Sequence, residues 1–282
     1  MTARVGFAAL PLMRPTLALF VLLLTTACAT SPLGRSQLKL LPDAQLAEMG
    51  SRSFEQVKEE KEISEDARLD AYVGCVATAL IEQLPPGWNS GWEVVIFEDA
   101  SANAFAVPGR RIGVHSGILE VARAPGQLAA ILGHEIAHVL ASHGNERMSQ
   151  VLAAQAGLLA ASAMTDSSTP GGRATLAALG LGAQFGVLLP FSRTHESEAD
   201  LMGLDLMATA GFDPEQAVVL WQNMAAASKG QPPEWMSSHP AHSTRIGELE
   251  ARMARAEALY AQAREAGRKP HCQRPPEAPE PS

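Results

Sequence analysis

The chain has 282 residues, 46% of them hydrophobic, which is enough to bury one substantial core, and one catalytic domain is the expectation. Its net charge of −8 excludes the usual nucleic-acid binder, because basic residues cluster no further than pairs such as Arg110 and Arg111.

The first 27 residues read as an export signal. Arg4 and Arg14 supply a positive start, residues 17–24 an apolar stretch, and Thr25, Thr26 and Ala27 a run of small residues before Cys28. The apolar stretch is shorter than the ~20 residues needed to span a bilayer. Removing residues 1–27, with both arginines, would leave a net charge of −10. A cysteine directly after such a run resembles the bacterial lipobox, in which that cysteine is acylated. Thr25 departs from the larger aliphatic residue usual there, and soluble secretion is the alternative. Ala29, rather than an aspartate, resembles the pattern of outer-membrane retention. Residues 28–42, with Pro32, Gly34 and Pro42, then read as a lipidated tether.

The domain is expected over 43–266. A helix follows Asp43, and a second spans 63–84 with Leu69, Tyr72, Val73, Val76 and Leu80 at helical spacing, ended by Pro85-Pro86-Gly87. From Trp92 to Phe97 and again over 111–115 the pattern is that of β-strands, with a turn at Pro108-Gly109 between them. Residues 127–142 form an apolar-faced helix carrying His134-Glu135-Ile136-Ala137-His138 in its middle. Two Ala/Gly/Leu-rich segments, 151–164 and 174–189, are expected as tightly packed buried helices, the alternative being a hairpin that dips into a bilayer or greasy substrate. Helices follow over 192–210, after Asp213-Pro214 and over 249–266, and the Pro-rich tail 267–282 is expected to be disordered. Cys75 and Cys272 either pair as a disulfide, as an oxidising compartment favours, or remain two free thiols.

Two histidines four apart on a helix point the same way and can share one metal ion, while the intervening Glu135 reaches the attacking water as a base. The spacing therefore points to one zinc ion per chain. A catalytic zinc takes three protein ligands and keeps a fourth position open. His143 is the nearest further candidate, but the long histidine motif of the metzincins would need glycine and histidine where Ala141 and Gly144 stand. After Glu146 no glutamate occurs until Glu196. Glu196 and Asp200 lie on one helical face, which suits a carboxylate ligand with a second carboxylate holding the far nitrogen of a ligand histidine. Glu198 lies on another face, as a solvent-exposed group or salt-bridge partner, and His195 is not expected to ligate.

The motifs Asn103-Ala104-Phe105-Ala106-Val107-Pro108-Gly109, residues 133–138, Ser192-Arg193 with Glu196 and Ala199-Asp200, and Ser238-His239-Pro240 with Arg245 stand in order between residues 45 and 265. Together they resemble the zinc metallopeptidase family of HtpX, BepA, LoiP and the CAAX prenyl endopeptidases. The resemblance implies a mainly α zincin-like domain with a small antiparallel β-sheet, zinc ligands His134, His138 and Glu196, and Glu135 as base. It adds His239, either as a donor to the oxyanion or as a latch in zinc's open position; a turn histidine before Pro240 is the plain alternative. Relatives often have a glycine and an aromatic where Arg110-Arg111 stand. If the strand 111–115 lines the cleft, it would add a substrate peptide as an extra strand, and the arginines would favour acidic residues; solvated charge is the alternative.

The implied function is endopeptidase action on misfolded or misassembled envelope proteins, by an outer-membrane lipoprotein facing the periplasm. Its membrane contact would be the lipid on Cys28. Two other functions are compatible: a chaperone or assembly factor whose site His239 keeps shut, and hydrolysis of a cell-wall amide. The chain ends too soon for the helical-repeat extension some relatives carry, so substrates would meet the catalytic domain alone.

Overall fold

The computed structural model describes residues 28–166, 168–177, 192–227, 233–239 and 244–276. The expected signal segment 1–27, the larger part of the segment 174–189, Pro240 and the last residues of the tail lie outside them.

The order of elements is β1 (Cys28–Thr30), β2 (Ser36–Leu38), α1 (Asp43–Glu60), α2 (Ala67–Ile81), β3 (Glu93–Phe97), β4 (Ala104–Val107), β5 (Arg111–His115), a 3-10 turn (Ser116–Glu120), α3 (Pro125–Leu140), α4 (His143–Met164), α5 (Arg193–Thr209), α6 (Glu215–Ala227), α7 (Glu234–Ser238) and α8 (Arg245–Glu265). The protein is mainly helical with small sheets, a zincin-like arrangement in which α3 is the central helix. Local chemistry sets several ends. The Asp66 carboxylate accepts from the Arg68 amide to start α2, Pro125 opens α3 in its first turn, and the Ser192 hydroxyl accepts from the His195 amide to start α5.

Leu128, Ile131, Leu132 and Ile136 of α3 pack into one core with Tyr72, Val73, Val76 and Leu80 of α2, Ile112 and Val114 of β5, and Trp221 and Met224 of α6. Burying each such side chain contributes on the order of 2 kcal/mol. The three-stranded sheet has the order β3-β5-β4. Its β4–β5 pair is antiparallel, as expected, whereas β3–β5 is parallel, because β5 folds back from β4 into the place beside β3.

Three expectations change. Residues 28–42 are not a loose tether. β1 and β2 form an antiparallel hairpin that docks on the domain: Gln37 donates to the Ala141 carbonyl at 2.6 Å and the Leu40 amide to the Ser149 hydroxyl at 2.8 Å. The segment 151–164 is not tightly buried. It continues α4, whose first turns are held by His143, Asn145, Glu146 and Ser149, and then projects, with Leu159 70% and Met164 89% exposed. Its Ala/Gly content offers little apolar area to bury. No described helix is long and apolar enough to cross a membrane. Residues 268–274 of the tail are fastened: Cys272 forms a disulfide with Cys75, Arg268 donates to the Thr209 carbonyl and Arg274 to that of Leu119.

Candidate metal centre

His134 and His138 sit one turn apart on α3, and their Nε2 atoms lie 3.0 Å from each other. α5 runs alongside and brings Glu196 to 3.5 Å from His134 Nε2 and 3.4 Å from His138 Nε2. The helices approach this closely because Gly133 faces Gly203. A Cβ on Gly203 would stand 2.8 Å from the His134 backbone nitrogen. His239, just past α7, places Nδ1 3.1 Å from His134 Nε2 and 3.0 Å from a Glu196 oxygen. One donor atom from each of these four residues falls within 4.8 Å of all the others, and none of the four residues is more than 4% exposed.

This donor set fits a zinc ion. His134 Nδ1 is 2.8 Å from Asp200 Oδ1 and donates its proton there, which leaves a bare lone pair on Nε2 facing the other donors. Converging lone pairs of two or three buried imidazoles and a carboxylate require a proton or a cation between them. Tetrahedral zinc with bonds of ~2.0–2.1 Å sets its nitrogen and oxygen ligands ~3.3 Å apart, within the observed spread.

The electrostatics are those of a site built for positive charge. Burial lowers His134, but Asp200 and Glu196 outweigh it and raise the ring to about 9 when no metal is bound. His138 is pushed well below its ordinary value, burial being the chief cause. Burial opposes ionisation of Glu196, yet hydrogen bonds from His134, His138 and His239 hold it far below the usual carboxylate range. Burial likewise opposes Asp200, and Arg245 with His134 reverses it.

Arg245, the first residue of α8, donates to both Asp200 oxygens, reaches Glu196 at 3.1 Å and lies 3.8 Å over the Trp221 ring. Glu135 points from α3 toward β4 and α7. One oxygen accepts from the Trp235 indole at 2.7 Å and stands 3.3 Å from His239 Nε2; the other accepts from the Ala106 amide at 3.2 Å.

Residues 53–253 match the sequence profile of peptidase family M48. The chain belongs to peptidase family M48. It is 38% identical over 161 residues to the mitochondrial metalloendopeptidase OMA1 of Schizosaccharomyces pombe, covering 56% of this chain and 46% of that one. It is 35% identical over 250 residues to the Bos taurus metalloendopeptidase OMA1, covering 82% and 47%. It is 28% identical over 210 residues to the β-barrel assembly-enhancing protease of Yersinia pestis, covering 72% and 43%. The chain thus spans about half the length of the curated relatives it matches.

Within the M48 region, several residues differ from their expected surroundings. β5 is the central strand, paired on both sides, so it cannot accept a substrate strand; β4 is an edge strand, and the Ala106 amide already points from it to Glu135. Arg110 donates to the Gly87 and Ser90 carbonyls and Arg111 pairs with Glu93 at 2.9 Å, so both arginines brace the 87–93 loop rather than stand free for acidic substrates. Glu198 is buried, not solvent-exposed, and is salt-bridged to Arg35. His195 stands 3.0 Å from Glu146 and His143 packs behind His138, both away from the donor cluster. Trp235 carries no signal in the sequence that would single it out, since a tryptophan on an amphipathic stretch reads as core.

Proposed function

We propose that this chain is an exported endopeptidase that degrades misfolded or misassembled proteins of the bacterial envelope, with His134, His138 and Glu196 as zinc ligands and Glu135 as base. The observation that carries the site assignment is the convergence of these donors, buried, with a second carboxylate directly beside them. The envelope reading draws on the signal-like N-terminus and on similarity to proteases named for β-barrel assembly. Acylation of Cys28 would hold the enzyme at the outer membrane, facing the periplasm. OMA1 relatives are mitochondrial by name, and fractionation of the producing cells tests the envelope location.

When bound, zinc supplies a Lewis acid that lowers the pKa of a water from ~15.7 to about 7 and polarises the scissile carbonyl. Glu135 takes the proton of the attacking water and returns it to the leaving amine. Trp235 and the Ala106 amide fix the carboxylate's direction. Asp200, clamped by Arg245, keeps the His134 proton on Nδ1 and its Nε2 turned inward. His239 donates to the developing oxyanion.

A second reading, a chaperone or assembly factor with a mostly silent site, is favoured by one observation. His239 Nδ1 sits among the donors, where it would fill the fourth position. The variant His239→Ala separates the two: a latch gives faster cleavage of an unfolded outer-membrane protein, and an oxyanion donor slower. For the main reading, Glu135→Gln should keep the metal and lose cleavage by at least ~100-fold. A proteomic comparison of that variant with wild type would report the substrates. Undiminished proteolysis by Glu135→Gln would remove the mechanism.

A further inference from the structure

His134 and His138 are supported from behind in different ways. The Nδ1 of His134 meets a carboxylate directly, whereas the Nδ1 of His138 meets the Nδ1 of His143 at 2.9 Å. A ring that offers Nε2 to a metal carries its proton on Nδ1, so His138 donates and His143 Nδ1 accepts. The proton of His143 is then on Nε2, which lies 3.0 Å from Glu198 Oε2, an acceptor. One set of tautomers satisfies the whole line from donor cluster to carboxylate.

The line ends on the N-terminal hairpin. Arg35, in the turn between β1 and β2, donates to the same Glu198 oxygen through Nε at 3.1 Å and Nη2 at 3.0 Å. It also grips both oxygens of Glu146 at 2.7 Å, and Glu146 holds His195, whose ring stacks on that of His143 at 4.6 Å. Asp200 and Glu198 are therefore matched: each is a buried carboxylate turned toward a histidine by an arginine, Arg245 from α8 and Arg35 from the hairpin.

We propose that Arg35, Glu198 and His143 are positioning residues that fix the proton and ring orientation of His138, which makes the docked N-terminal hairpin part of the metal centre. The proposal rests on the reading of His138 as a ligand. Its consequence is that undocking the hairpin loosens the metal without touching a ligand. Residue 35 lies outside the M48 match, so this support comes from a part of the chain that the family profile does not cover.

The test uses the full chain. Zinc affinity is measured by competition with a chromophoric chelator for Arg35→Met, Arg35→Lys, Glu198→Gln and His138→Ala. Outer partners of a ligand histidine typically carry about 10–100-fold in metal affinity. Arg35→Met and Glu198→Gln should each lose that much, the double variant little more than either, and Arg35→Lys less. On folded wild type loaded with zinc, nitrogen-15 NMR of the imidazoles should show His143 protonated on Nε2 and accepting on Nδ1. Affinities within twofold of wild type for the Arg35 and Glu198 variants, or the opposite His143 tautomer, overturn the proposal while His138→Ala still abolishes zinc binding. Unchanged affinity in His138→Ala instead overturns the ligand reading beneath it.

Discussion

Replacing Arg245 by methionine measures how far the framework of the metal centre depends on one buried charge. The arginine is 1% exposed and is shared between Asp200 and Glu196, so its removal leaves two buried carboxylates each short of a partner. Breaking a buried ion pair from one side costs about 3–5 kcal/mol. His134 stays against Asp200 at 2.8 Å, and methionine retains apolar contact with Trp221, so the loss should sit near the low end, about 3 kcal/mol. In a chain of this size that corresponds to a fall in Tm of roughly 6–12 °C. The assay is guanidinium unfolding of the protein held in chelator, followed by fluorescence and circular dichroism so that coincident transitions establish two-state behaviour. Asp200→Asn removes the stranded charge, and the double variant should be ~1–3 kcal/mol less destabilised than the two singles summed. A single-variant loss below about 1 kcal/mol, or strict additivity, refutes the reasoning.

Trp235→Phe keeps an aromatic ring beside His239 but deletes the indole donor to Glu135. The carboxylate then loses one of the groups that fix its direction, so kcat/KM should fall by roughly tenfold or more while zinc affinity stays unchanged; an unchanged kcat/KM would remove Trp235 from this role. Because His134 titrates at about 9 in the metal-free site and must lose its proton to ligate, zinc affinity should rise with pH, by up to about tenfold per unit, and level off above that value. Chelator competition across the range checks this, and a plateau already reached at neutral pH contradicts it. Cys75→Ser with Cys272→Ser should lower stability by ~2–5 kcal/mol in denaturant titration while the folded fraction cleaves at an unchanged rate.

The parts of the site that could be read from the sequence are those with a local period. His134, Glu135 and His138 declare themselves by one helical turn, and Glu196 with Asp200 by another; the structure brings the two turns together. His239 came only through resemblance, since a histidine before proline has no period. Trp235 and Arg245 act across 100 and 45 residues of chain, on Glu135 and Asp200, and nothing local encodes such pairings. The hairpin was hidden for a different reason. Strands of three residues are too short to show alternation, and Pro32 and Gly34 read as loop; its order comes from Arg35, Gln37 and Asn145 bonds that exist only once α3 and α4 are formed. Most helices were legible to within a few residues at their ends, but α4 begins at His143 rather than at 151, and the short α7 has no expectation in the sequence. The parallel β3–β5 pairing was not, because it depends on which edge β5 enters.

The facing glycines at 133 and 203 have a further bearing on how this chain can change over time. A deep mutational scan selected on cleavage would mark position 203 as forbidding as the ligands, although it carries no reactive group. One added methyl there would drive the backbone of α5 away from that of α3 and carry Glu196 out of reach. Inheritance must therefore preserve a distance as well as a set of side chains, and tolerated variation on α5 should concentrate on its outward face.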